Sequence, residues 1–217
     1  VAAYSRSGDA KWTAEAKRFA AQGAENPLLD VWFSDARQGH VVGAFGLVLR
    51  TADGGRSWEP LMHATDNPKA LHLYAVRRVG DALFAAGEQG TLLRWDGSRF
   101  VALASPYAGT LFGLVGHERA VLAHGLRGHV VRSTDGGRSW SEVATGLSVG
   151  LTASTLDRSG RIVLASQAGH VLVSSNDGAG FVARTPERPL PAAAVAANDD
   201  GTLVLAGPRG VQNLALS

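Results

Sequence analysis

TADGGRSW occupies Thr51–Trp58, and the chain returns to it as STDGGRSW at Ser133–Trp140. A third, altered copy, SSNDGAGF, runs from Ser174 to Phe181. The common positions are Thr51, Asp53, Gly55 and Trp58; Ser133, Asp135, Gly137 and Trp140; and Ser174, Asn176, Gly178 and Phe181. Each has a physical task. The carboxylate or amide oxygen accepts backbone N–H bonds inside a tight turn, and the hydroxyl does so more weakly. The glycine admits backbone angles with φ > 0. The ring then fills the space against a neighbouring module. A module that returns at a spacing of tens of residues signals a repeat architecture.

Working outward, a second motif recurs. GAFG ends at Gly46, GEQG at Gly90, GLRG at Gly128, SQAG at Gly169 and GPRG at Gly210. The turn thus comes back about every 40 residues, a period that suits all-β propeller blades of four short strands. Each unit opens on an apolar run: Leu28–Phe33, Leu71–Val76, Leu111–Val115, Leu151–Leu156 or Ala192–Ala197. A polar turn follows, then a second run into the glycine turn, as in Ala82–Ala86 or Ile162–Ala165. A third run (Leu47–Arg50, Thr91–Arg94, His129–Arg132, His170–Val173) enters the Asp-box turn, and a fourth strand leaves it. These short runs, partly β-branched and bounded by Gly, Asp and Asn, read as strands. The expected organisation is one propeller domain over 1–217, with blades at about 27–66, 67–107, 108–147, 148–188 and 189–217. Residues 1–26 would add the outer part of a blade and a short helical link.

The ends read as complementary halves. SRSGDAKW, Ser5–Trp12, fits a degraded box with Trp12 in the aromatic slot, and the last repeat stops near its third strand, Val211–Leu216. Joined in one blade, they would close a five-bladed ring and remove exposed sheet edges; the alternative is part of a larger ring. The first residue is not Met, which suggests a processed or truncated chain. Thr13–Gly23, TAEAKRFAAQG, reads as a short helix ending in a glycine cap. It is either a surface insertion or a docking helix.

Composition excludes several classes. The 217 residues include 27 glycines and no cysteine, so disulfides and thiolate metal sites are out. A net charge of +2 without a basic cluster does not favour nucleic acid. No apolar run approaches the ~18 residues of a membrane span.

The run PLLDVWFSDARQGHVVGAFGLVLRTADGGRSW, Pro27–Trp58, resembles the repeat of the photosystem II stability/assembly factor family of Asp-box (BNR-repeat) propellers. The Asp box alone is shared with sialidases and sortilin-type receptors. An apolar strand, a G-x-x-G turn, an arginine and then the box make a more specific combination. The resemblance implies a non-catalytic scaffold that binds a protein client, such as a membrane protein, on the periplasmic or otherwise exported side of a membrane. Members are typically seven-bladed, whereas this chain carries about five units. The box after Arg94, WDGSRF, is short and lacks the second glycine.

Catalytic chemistry finds little support. A sialidase needs an arginine cluster and a tyrosine nucleophile paired with a glutamate. The tyrosines here are Tyr4, Tyr74 and Tyr107, and Arg50, Arg94 and Arg132 sit at equivalent places before successive boxes. Equivalent positions on different blades argue for a structural role. Asp30 and Glu88 are the carboxylate pair to name for a glycoside hydrolase, and a glycan-binding or sialidase-like propeller is the alternative reading. The seven histidines show no HxxxH or HExxH spacing, so no metal or cofactor is expected.

What remains is a surface. In a four-stranded blade, the turn between strands two and three shares a face with the inter-blade links, and the Asp box lies on the opposite face. Phe45, Glu88, Gln89, Arg127 and Arg209 from the glycine turns and Tyr107 from a link are the expected binding residues. Exposed aromatics and arginines in loops are the types that anchor interfaces. Arg56 and Arg138 fall on the other face. The box aromatics Trp58 and Trp140 are expected to be largely buried, with Phe100 and Phe181 filling the same slot less completely.

Overall fold

The computed structural model describes residues 10–22, 25–184 and 186–216. Five antiparallel sheets follow one another along the chain. The first contains β1 (Leu28–Phe33), β2 (Gly39–Gly43), β3 (Val48–Thr51) and β4 (Glu59–Pro60). The second contains β5 (Leu73–Val79), β6 (Ala82–Gly87), β7 (Leu92–Trp95) and β8 (Phe100–Ala102). The third contains β9 (Leu111–His117), β10 (Ala120–Gly125), β11 (Val130–Ser133) and β12 (Ser141–Val143). The fourth contains β13 (Leu151–Leu156), β14 (Ile162–Ser166), β15 (Val171–Ser174) and β16 (Val182–Ala183). The fifth has three strands, β17 (Ala194–Ala197), β18 (Thr202–Gly207) and β19 (Gly210–Ala215). Every sheet is an up-and-down meander in chain order.

The second strands explain how the sheets stack. β6 reads ALFAAG and β10 reads AVLAHG, and every residue of both is buried. A strand covered on both faces needs such a continuous apolar run rather than alternation. Residue parity then divides the run between two neighbours. Leu83 and Ala85 pack with Val42 and Val48 of the first blade. Ala82, Phe84 and Ala86 pack with Leu111, Val121 and Val131 of the third. In turn, Ala120 and Leu122 meet Ile162 and Leu164 of the fourth blade, whose Val163 and Ala165 meet Leu203 and Leu205 of the fifth. The core is therefore a series of inter-blade layers. All five innermost strands, β1, β5, β9, β13 and β17, contribute to the wall of one cavity of about 360 Å³.

The chain ends depart from the sequence reading. Helix α1 spans Ala10–Gln22 and takes in Trp12, which therefore does not fill a box slot; the proposed box residues Ser5–Asp9 lie outside the described residues. Trp12, Ala16 and Phe19, spaced along one helix face, pack on Leu47, Leu49 and Met62. That is the face of the first blade opposite its contact with the second. The helix thus covers the outer half of a surface that, on later blades, the preceding blade covers. The inner half stays open: Leu29, Val31 and Phe33 are 40%, 52% and 39% exposed. Among the described residues no fourth strand joins β19, and the first and last sheets share no hydrogen-bonded strand, so the expected closure of a five-bladed ring is not seen.

Candidate binding face and channel

The Asp-box turns are built by side chains closing on themselves. In the first, Thr51 Oγ1 donates to Asp53 Oδ1 (2.9 Å) and accepts from the Gly55 N–H (2.9 Å). Asp53 then takes the Ser57 N–H at 2.9 Å and the Ser57 hydroxyl at 2.5 Å. Ser133, Asp135, Gly137 and Ser139 repeat the arrangement. Ser174 and Asn176 reproduce it with a neutral amide, which accepts from the Gly180 N–H at 3.0 Å. The Ser57 hydroxyl and amide hold the Asp53 carboxyl down at about 2, and Ser139 holds Asp135 lower still. These oxygens are committed to their own turns.

The box aromatics do not behave as equals. Trp140 lies edge-on to Phe84 of the preceding blade, ring centroids 6.2 Å apart, and donates from Nε1 to the Gly137 carbonyl at 3.1 Å. Phe181 is half-buried in the layer between the third and fourth blades. Trp58, expected to be largely buried, is 36% exposed and touches Phe33 of its own blade. The reason is positional. A box packs on the blade before it, and none stands before the first among the described residues. Phe100, expected to be the less complete filler, is fully buried. The short WDGSRF turn brings it inward against Trp95, ring centroids 5.1 Å apart.

The glycine turns present three residues in the same unusual backbone. Phe45, Gln89 and Arg127 have φ of 56°, 52° and 55°. The left-handed region costs an L-residue with a Cβ roughly 1–2 kcal/mol. It is imposed because the second residue after the tip closes back by an N–H bond, Leu47 to Ala44, Thr91 to Glu88 and His129 to Leu126. The glycine after each tip lies flat on the following link. A Cβ on Gly90 would stand 1.9 Å from the Tyr107 carbonyl oxygen. In the fourth and fifth blades only the glycine, Gly169 or Gly210, has positive φ, and Ala168 and Arg209 at the tips do not.

The six expected binding residues fall into three groups. Phe45 is 51% exposed and sits edge-on to His72 at 5.0 Å. Glu88 accepts the His72 backbone N–H at 2.8 Å and lies 3.4 Å from its Nδ1, while Gln89 accepts from Lys69 at 3.4 Å. Tyr107 stacks on His129, centroids 4.0 Å apart, and donates its hydroxyl to the Leu126 carbonyl beside Arg127. Burial raises its phenol pKa. Arg209 reaches the Pro189 carbonyl at 3.3 Å.

Behind this rim the inner strands are sheet edges whose polar groups need partners. Side chains of one blade supply them to the next. Asp30 Oδ2 accepts the Val76 N–H at 2.9 Å and pairs with Arg77 at 2.8 Å. His124 Nδ1 bonds the Leu151 carbonyl at 3.1 Å, and Thr152 donates to the Ala192 carbonyl at 2.5 Å. The two carboxylates named for a hydrolase are thus engaged, Asp30 by Arg77 and Glu88 by His72. Arg77, His124 and Thr152 escaped the sequence reading. The one visible hint was a polar residue inside an apolar strand. No group of three or more metal-ligating side chains occurs among the described residues.

Sheets stacked on their neighbours around a shared cavity, with Asp-box turns, define an Asp-box β-propeller. The chain belongs to the family described as photosynthesis system II assembly factor YCF48, whose model matches residues 10–188. It is 30% identical over 126 residues to the photosystem II assembly lipoprotein Ycf48 of Synechococcus sp. (strain CC9902), covering 55% of this chain and 37% of that protein. It is 41% identical over 71 residues to the chloroplastic photosystem II stability/assembly factor HCF136 of Arabidopsis thaliana, covering 32% and 17%. The chain therefore spans well under half the length of these curated relatives. The solved structure of YCF48 bound to D1 peptide superposes with a TM-score of 0.65 at 17% identity, over 88% of this chain and 67% of that one. An enzyme, streptogramin B lyase, shares the fold at a TM-score of 0.66 and 9% identity, over 86% and 68%. The sequence relatives are assembly factors; the fold as such hosts enzymes too.

Proposed function

We propose that this chain is a non-catalytic assembly or stability factor that holds a polypeptide client, a segment of a membrane protein, on its glycine-turn face. The observation that carries this reading is the row of Phe45, Gln89 and Arg127 on successive turn tips, each in strained left-handed backbone. Such strain gathers where side chains are presented to a ligand. Tyr107 and Arg209 extend the row with the residue types that anchor interfaces. A relative's solved complex with D1 peptide supports a client of this kind. The relatives are a photosystem II assembly lipoprotein and a chloroplastic factor, which supports an exported, periplasmic-type setting for this chain. No helix among the described residues is long and apolar enough to cross a membrane.

The test is capture of crosslinked client from the native host. Reversing the charge of Arg127 and Arg209 together should reduce capture at least tenfold, because Arg presents a planar multi-donor fork to carboxylates and carbonyls. Reversing Arg56 and Arg138 on the Asp-box face should leave it unchanged. Capture that depends on Arg56 and Arg138 instead would reverse the assignment of faces. Turnover of a sialoside or other glycoside that disappears in Asp30→Asn or Glu88→Gln would defeat the scaffold reading.

A further inference from the structure

His124 is fully buried in β10, yet its Nε2 has no hydrogen-bond partner. The other ring nitrogen faces the Leu151 carbonyl, which can only accept, so Nδ1 carries the proton and Nε2 is a bare acceptor. The ring lies over Gly113 of the innermost strand; a Cβ there would stand 2.3 Å from Nε2. The imidazole thus fills the space a Gly113 side chain would take, and both residues line the central cavity. Buried polar atoms are almost always paired, so an orphan beside a cavity points to what the cavity holds.

The rest of the wall narrows the chemistry. Tyr74 and Phe112 form an aromatic side, ring centroids 5.5 Å apart and nearly perpendicular. Ser154 and Thr152 of the fourth blade also line the cavity, the Thr152 hydroxyl already donating to the Ala192 carbonyl. The charges present, Asp30 and Arg77, cancel each other at 2.8 Å. A net anion or cation gains nothing there. The cavity of about 360 Å³ lies within the ~300–1,000 Å³ range of small-molecule pockets.

We propose that the central cavity is a binding site for a small neutral polyhydroxylated molecule, a single sugar ring, which donates a hydroxyl to His124 Nε2 and lays its apolar face on Tyr74 and Phe112. Its failure would leave the client-binding reading intact, since none of the turn-tip residues takes part.

The experiment uses the whole chain with ¹⁵N-labelled histidine. D-Glucose, N-acetyl-D-glucosamine and myo-inositol are titrated while the His124 Nε2 resonance is followed. At least one should shift that resonance saturably, with half-saturation at about 1 mM, as expected of a ligand of this size. Ser154→Phe fills the cavity and should abolish the shift. Tyr74→Leu, which keeps the wall apolar but removes the ring, should raise half-saturation at least tenfold, and it serves if Ser154→Phe does not fold. No saturable shift with any of the three, or a shift that survives both variants, would overturn the proposal.

Discussion

Acid should unfold this protein through His124 well before it reaches the carboxylates. Burial lowers the His124 pKa from 6.5 to about 4, partly opposed by its bond to the Leu151 carbonyl. In the unfolded chain the imidazole takes a proton as pH falls through 6.5; in the folded chain it resists until about 4. Between these values the unfolded state binds more protons, so stability is full above 6.5 and is lost as pH falls towards 4. A gap of this size at one site corresponds to about 3 kcal/mol at its limit, of which about 2 kcal/mol is spent between pH 7 and pH 5. Asp53 and Asp135, held low by their turns, act only below the ordinary carboxylate range and leave this window clear. His40 is also lowered to about 4 by burial, with Arg50 nearby, but it is only partly buried, so solvent screening reduces its share of the slope. The assay is urea unfolding followed by tryptophan fluorescence at pH 7 and pH 5. Wild type should lose about 2 kcal/mol or somewhat more over that interval, the excess coming from His40. His124→Gln should keep only the His40 part of the loss, because the larger part titrates at His124. Equal pH dependence in the two proteins would refute the argument that His124 is neutral because it is buried.

Other consequences follow from the layered packing. Trp140 is partly buried against Phe84, so Trp140→Ala should cost about 3 kcal/mol, the low end for a buried ring, whereas Trp58→Ala should cost about 1 kcal/mol or less; equal denaturation midpoints for the two variants would contradict the asymmetry. Gly137→Ala should be far more damaging than Gly136→Ala, because its Cβ would meet Phe84 at 2.5 Å while nothing lies within 4 Å at Gly136. Both carry positive φ, so the difference in melting temperature isolates the clash. Asp53→Asn should lower the melting temperature slightly, because an amide nitrogen cannot accept the Ser57 hydroxyl that Asp53 Oδ2 takes and the Asn176 turn faces Gly180 instead, and Asp53→Ala should lower it further. Calcium or a chelator should leave that temperature unmoved in wild type, and a calcium-dependent rise would reveal a metal role for the box.

The repeats, their period and most strand positions were legible along the chain because they depend on local physics. A Ser/Thr-x-Asp-x-Gly turn closes through its own side chains, and Asn176 keeps the third copy recognisable by doing the same job without charge. The runs ALFAAG and AVLAHG announce strands covered on both faces. Which residue of each run faces which neighbour was also implicit in parity. The expected binding residues were found on turns and links because the meander alternates faces with every strand.

Other features arise only between segments distant in sequence. Trp58 and Trp140 close nearly identical octapeptides, yet one is half-open and the other packs on Phe84; what differs is whether, among the described residues, a blade stands before them. Trp12 reads along the chain as a box aromatic just before a helix, and packing on the face at Leu47 and Leu49 draws it into the helix instead. His124 needs Gly113, from the adjacent strand, and Leu151, from the next blade, before its acceptor and its lowered pKa have meaning. Turns and strand faces are set by neighbours along the chain, so the repeating unit could be read from the residues alone. The capped first blade, the strained tips arrayed on one face and the polar stitching around the cavity emerged only in the packed molecule. They depend on surfaces that exist only after one blade has settled against another.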